Sequence, residues 1–225
     1  TAARIIAASA SDTAGGGVSM SYMISTMFER GGLLDRYAPL AWVPGMLAGA
    51  VKMNAGAGDV ATGELVEHVE GITLAGAAWE KDAGDISWGY RTTDIPDDVI
   101  ITRVTLRLVA AARERARKAI RRSGEERQGR LPPGRSAGCV FRNAGAAAAG
   151  YLLDKAGCKG MRVGGCEIGE QHANFILCDA EGTPDDYVDL LVQAQRRAFE
   201  HCGVRLLPEV VFADEEMTSL ATTML

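Results

Sequence analysis

The chain has 225 residues, 47% of them hydrophobic and 24% charged, with a formal net charge of -5. That length supports one large core or two small ones. The acidic balance argues against a nucleic-acid protein, which needs clustered cations for phosphate, and no apolar run reaches the roughly 18 residues of a membrane helix.

No signal-peptide pattern opens the chain, so a cytoplasmic protein is expected. Cys139, Cys158, Cys166, Cys178 and Cys202 form no CxxC pair, and only three histidines are present. The odd count predicts reduced thiols rather than a disulfide framework, and no structural zinc site.

The stretch ARIIAAS near the start predicts a short buried strand. Gly15, Gly16 and Gly17 then form either a phosphate cradle or a flexible turn. The turn is the simpler reading, because no Lys-Ser/Thr pair follows. Ser19 predicts an N-cap, and Met20, Met23, Ile24, Met27 and Phe28 recur at helical spacing up to Gly31 and Gly32. In WVPGMLAGAVKMNAGAGD, residues 42–59, small side chains allow either close approach to a flat or phosphorylated ligand or a tightly packed turn. Residues 65–110 predict a run of strands, ending in the β-branched VIITRVTLRLV.

A helix is predicted from about Ala110 to Ser123, bearing Arg113, Arg115, Arg117, Lys118, Arg121 and Arg122. It reads as a solvated face that could also draw anions. Residues 124–135, with Pro132 and Pro133, predict a linker and a domain boundary. Beyond it come a helix over Gly145–Ala156, a turn at Gly160, Gly164 and Gly165, and a strand at NFILC. Thr183-Pro184-Asp185-Asp186 predicts a capped helix start. Val188, Leu191, Gln195, Ala198, Phe199 and Cys202 form one face of that helix, and Gly203 ends it. VRLLPEVVF is predicted to close as a strand.

Three places combine polar groups with rigid settings: Tyr90-Arg91, the Cys139-Arg142-Asn143 stretch, and Glu209 in an apolar run. A carboxylate in an apolar strand needs a partner, and Arg91 is a candidate, either structural or functional. Cys139 alone reads equally as core filler, metal ligand, nucleophile or proton donor.

Five stretches, in order, resemble one family. VPGMLAGAVKMNAGAG is similar to its flavin-binding IPG-x-x-GGA-x-x-MNAGA, and WGYRTT to its YR-x-S. SAGCVFRNA is similar to SAGS-x-FKNP. GYLLDKAGCKGMRVGGCEIGEQHANFI resembles its AG-x-LI…GLKG…HANFI signature, and RLLPEV its L-x-PEV ending. The family is UDP-N-acetylenolpyruvoylglucosamine reductase, also called UDP-N-acetylmuramate dehydrogenase, of peptidoglycan synthesis and cell wall biogenesis.

The resemblance implies an α+β protein. The remainder of a vanillyl-alcohol-oxidase/PCMH-type FAD-binding domain, residues 1–130, would precede a smaller α+β substrate-binding domain, residues 131–225. The implied cofactors are FAD and, as co-substrate, NADPH; the implied reaction reduces the enolpyruvyl ether of a UDP-sugar. By the same resemblance Arg91, Cys139 and Glu209 are catalytic, with Cys139 in the proton-donor position that most members fill with serine. Pro44, Gly45, Ala48, Gly49, Ala50, Asn54, Ala55 and Gly56 would bind cofactor, and Tyr90, Arg142 and Asn143 substrate.

Ala48 stands where the family has a glycine, and its methyl is expected to crowd the flavin loop. Arg142 replaces Lys, Ala144 replaces Pro, and Gly169 and Gln171 replace Ser and Lys. The resemblance begins after the family's N-terminal subdomain, which holds a glycine-rich loop for the FAD diphosphate. It therefore implies either an enzyme missing that subdomain, or partnered by it, or a non-catalytic relative that binds a UDP-sugar without FAD.

Overall fold

In the computed structural model, residues 11–30, 32–33, 35–108, 112–129, 131–134 and 136–213 are described. The strand expected over residues 3–9 lies outside them. The chain divides into two compact units, Thr1–Arg127 and Gln128–Leu225.

The first unit is built on a four-stranded antiparallel sheet of β1 (Ser11–Gly15), β4 (Val66–Thr73), β5 (Ala78–Asp82) and β8 (Val99–Arg107), in the order β1-β8-β4-β5. Val99 and Ile101 on β8 are buried, and so are Val104 and Leu106. The alternation changes phase between Ile101 and Val104 because the β4–β8 register shifts between Glu70 and Gly71, as a bulge requires. Helices α1 (Met20–Glu29) and α2 (Leu47–Lys52) contribute Met20, Ile24, Phe28, Leu47 and Val51 to the same core. Two short hairpins, β2 (Gly56–Ala57) with β3 (Val60–Ala61) and β6 (Trp88–Gly89) with β7 (Thr92–Thr93), complete the unit.

Helix α3 runs Arg113–Gln128, past the expected end at Ser123. Gly124 is no stop signal here. A Cβ on it would lie 2.3 Å from Trp42 Cζ2, and Trp42 donates from Nε1 to Ile120 O at 3.1 Å. The glycine is the slot for that indole. The helix's cations are partly met by acids: Arg115 Nε lies 3.0 Å from Asp35, and Arg122 Nε 3.5 Å from Glu126.

The second unit has α4 (Ala149–Lys155), a sheet of β9 (Arg162–Val163), β10 (Cys166–Ile168) and β11 (Ile176–Cys178), and the long α5 (Pro184–Cys202). The start of α5 follows the local rules. Thr183 Oγ1 accepts from Asp186 N at 3.1 Å, Asp186 Oδ2 accepts from Thr183 N at 2.9 Å, and Gly203 closes the helix at φ +66°. Backbone and side-chain bonds from Thr183 hold the Asp186 carboxyl below its usual range.

Two expectations fail in this unit. VRLLPEVVF makes no strand: a single bridge from Pro208 to Phe141 forms, flanked by bonds from Arg142 N and Glu209 N, and the pairing does not extend beyond it. Phe199 is 44% exposed, whereas Leu190, Val192 and Ala194, outside the predicted face, are buried. The helix packs on both α4 and the small sheet, so its buried stripe is wider than one row.

The cysteines also depart from expectation. Cys166 and Cys178 are joined, 4.1 Å apart at Cα, because they face each other across the β10–β11 pair. A separation of 12 residues hid that register from spacing arguments. Among the described residues no helix is long and apolar enough to cross a membrane.

Candidate functional site

Each unit gathers one group of the residues singled out above. In the first, the run Gly15–Gly17 is a packing turn. Gly16 N donates to Thr102 O at 2.8 Å, and Gly16 O accepts from Ala48 N at 2.9 Å. A Cβ on Gly16 would sit 2.3 Å from Ile101 O, so only glycine lets β8 and the start of α2 meet there. Leu47 N donates to Val18 O at 2.8 Å. The Leu47 and Ala48 amides at the start of α2 are thus committed inside the protein.

The stretch before and along α2 has two faces. Pro44, Gly45 and Gly49 are exposed, and a Cβ added at Gly45 or Gly49 would meet nothing within 4 Å. Gly45 sits at φ +95°, a conformation that favours glycine. Ala50 is buried. The Ala48 methyl points toward Gly16, 3.1 Å from where a Gly16 Cβ would lie. It packs against the core of the first unit.

Asn54, at φ +41° and 8% exposed, ties the next turn together. Its Nδ2 donates to Gly89 O at 2.9 Å and its Oδ1 accepts from Gly63 N at 3.0 Å. Ala55 O accepts from Thr62 N at 2.9 Å and from Thr62 Oγ1 at 2.7 Å. Tyr90 and Arg91 form the tip of the β6–β7 hairpin. Arg91 is held at φ +58°, a left-handed conformation that costs a non-glycine residue about 1 kcal/mol. Its Nη2 donates to Gly56 O at 3.3 Å, and its guanidinium lies 5.1 Å from the Tyr90 ring centre. Asn54, Gly56, Tyr90 and Arg91 therefore come together through the hairpins.

In the second unit the segment 139–142 lies between two others. On one side Cys139 pairs with Phe175, and Val140 N donates to Asn174 O at 2.9 Å. On the other, Arg142 N donates to Leu207 O at 2.9 Å and Glu209 N donates to Val140 O at 2.7 Å. Val140 and Phe141 are buried, and Cys139 at the end of the segment is exposed. Cys139 and Glu209 are thus set in register by one peptide segment. Asn143 Oδ1 accepts from Ala149 N at 3.0 Å, capping α4, so its Nδ2 is the half that can meet a ligand. Arg142 Nε is buried without a hydrogen-bond partner, and a buried cationic donor in that state suits an anion.

Cys139 and Asn143 line a cleft of about 400 Å³ together with Tyr151, Asp154, Lys159, Gln171 and His172. Tyr151, Lys159 and His172 lie within the GYLLDKAGCKGMRVGGCEIGEQHANFI stretch, where no local pattern marks out Tyr151 or Lys159. For His172 the available signal was a His-x-Asn pair placed directly before the apolar Phe175-Ile176-Leu177 run. His172 Nδ1 accepts from Asn174 N at 3.2 Å, which leaves Nε2 to carry the ring proton. Burial and then the Lys159 charge lower the His172 pKa, so the neutral ring is a hydrogen-bond donor near neutrality. In the cleft Lys159 Nζ lies 3.0 Å from Asp154 Oδ2, so its charge is shared with that carboxylate, and Asn143 and His172 are the neutral donors beside the pair.

Comparison with known proteins places the chain in a family. Residues 130–213 match the family profile described as UDP-N-acetylenolpyruvoylglucosamine reductase, C-terminal domain. The protein of that name from Desulfosudis oleivorans is 37% identical over 182 residues, covering 77% of this chain and 58% of the relative. The one from Syntrophotalea carbinolica is 34% identical over 203 residues, covering 87% and 65%. The chain thus spans between half and two thirds of the length of these curated relatives. The crystal structure of UDP-N-acetylenolpyruvylglucosamine reductase from Thermus caldophilus superposes with a TM-score of 0.79 at 30% identity, over 89% of this chain and 71% of that one.

Proposed function

Because the chain belongs to the UDP-N-acetylenolpyruvoylglucosamine reductase family, we propose that its two units are the substrate-reducing part of such an enzyme. The substrate is UDP-N-acetylglucosamine enolpyruvate and the product UDP-N-acetylmuramate, a peptidoglycan precursor. The first unit reads as part of a vanillyl-alcohol-oxidase/PCMH-type FAD-binding domain.

The open backbone at Pro44, Gly45 and Gly49 suits close approach of a flat ring. Asn54, Ala55 and Gly56 edge the same loop, with Ala48 and Ala50 packed behind it. The Leu47 and Ala48 amides are already taken, so neither of them serves a cofactor diphosphate. When bound, FAD supplies a hydride obtained from NADPH.

The chain's own residues do the rest. Arg91 offers fixed positive charge to an enolate-like intermediate, and preorganised charge of this kind is commonly the largest catalytic term. Cys139 gives the proton that completes the reduction. A thiol's ordinary pKa of about 8.5 keeps it mostly protonated at neutral pH and makes it a stronger acid than serine. Glu209 assists at the same intermediate. Tyr90, Arg142 and Asn143 hold the anionic substrate.

One observation carries this reading: exposed Cys139 stands at a polar cleft, on a segment whose next residue is hydrogen-bonded to Glu209. The full protein should bind FAD, seen as flavin absorbance, and oxidise NADPH only when the enolpyruvyl substrate is present. A full protein that takes up no FAD yet binds UDP-N-acetylglucosamine would be a UDP-sugar-binding relative instead.

A further inference from the structure

Phe141 lies between two edges of chain. On one edge it faces Pro208, and the bonds there run from Arg142 N and Glu209 N, on either side. Its own N–H and C=O point to the other edge. Both are buried, and buried backbone groups of this kind need partners.

Asn174 meets both. The residue is 3% exposed. Its Oδ1 accepts from Phe141 N at 2.9 Å and its Nδ2 donates to Phe141 O at 2.8 Å. Its backbone carbonyl takes Val140 N at 2.9 Å. One residue thus makes three hydrogen bonds to two consecutive residues, and its carboxamide does the work of a strand backbone. Aspartate lacks the donor, serine lacks the reach for both bonds, and glutamine adds a methylene that a packed interior resists.

The segment it holds begins at Cys139. We propose that Asn174 is a positioning residue that holds Cys139 in place at the cleft. The inference rests on Cys139 being the proton donor argued above. Donor groups must be set within a fraction of an ångström, and Cys139 is the exposed end of an extended segment. Val140 is pinned on one side by Asn174 and on the other by Glu209.

The test uses the full protein with Asn174→Ala, and Asn174→Ser should the alanine variant not fold. Two readouts apply: turnover, and the rate at which iodoacetamide alkylates Cys139, followed by peptide mass. Asn174→Ala is expected to lower kcat about 100-fold while the substrate KM stays within about threefold, since misplacement rather than lost binding is the defect. Cys139 alkylation should quicken at least about threefold as the segment loosens, and the Phe141 amide should lose protection from hydrogen exchange. Folded variants whose Cys139 alkylation equals or falls below wild type would overturn the positioning role, whatever turnover does. Faster alkylation with unchanged kcat would keep the positioning role and remove the proton-donor role of Cys139.

Discussion

In the first unit the backbone is shaped by close approach. Gly16 lies against Ile101 O, Gly56 against Val60 O, and Arg91 itself sits in a left-handed conformation. Around Cys139 the backbone is shaped by partners: Asn174 on one edge, Leu207 and Glu209 on the other, with a disulfide closing the hairpin behind. The first arrangement fails when atoms are added. The second fails when partners are removed.

The largest effect should come from adding one methyl to the first unit. Gly16→Ala puts its Cβ 2.3 Å from a backbone oxygen that cannot turn away. Urea unfolding should show a loss of about 3 kcal/mol or more. A loss below about 1 kcal/mol would mean that β8 and α2 are not held by this contact.

Removing a link from the second unit should cost slightly less. Cys178→Ser opens the ring between residues 166 and 178, for a loss of about 2–3 kcal/mol without reductant. In excess dithiol, wild type and variant should converge; a difference that persists would assign the loss to packing of the sulfur instead.

Removing a cap is smaller still. Thr183→Ala should cost about 1 kcal/mol, read as a lower melting temperature. An unchanged melting temperature would show that Pro184 and the first-turn acids suffice to start α5.

The smallest effect is a slope. The His172 pKa lies below its ordinary 6.5 in the folded protein, through burial and the Lys159 charge. The unfolded chain therefore takes up a proton below about pH 6.5 that the folded chain resists, so stability is lost as pH falls through that range. His172→Gln should flatten the decline in melting temperature between about pH 7 and about pH 5. A parallel decline in both proteins would assign it to other groups.

What could be read from the residues follows the same division. Local signals were legible: the Thr183-Pro184-Asp185-Asp186 start and Gly203 end of α5 need only their own neighbours. Glycine packing was not, because Gly16 and Gly124 act through Ile101 and Trp42, far along the chain. The Cys166–Cys178 link depends on hairpin register, which spacing alone does not give. The strand predicted through Glu209 is reduced to one bridge at Pro208, because how far a pairing extends depends on the partner segment and not on local propensity. Cys139, Asn143 and Glu209 stood out as polar groups in rigid settings, and the matched motifs gave them expected roles. His172 and Asn174 were in the quoted stretches, yet their roles needed the distances to Phe141 and to each other.

The central claim is that Cys139 delivers the proton. The most direct measurement is the pH dependence of kcat/KM in the full enzyme, wild type against Cys139→Ser. A thiol ionises near pH 8.5 or so and then has no proton to give, whereas a serine hydroxyl keeps its own throughout that range. Wild-type activity should therefore fall on the alkaline side at lower pH than that of Cys139→Ser. Superimposable alkaline limbs would contradict the account.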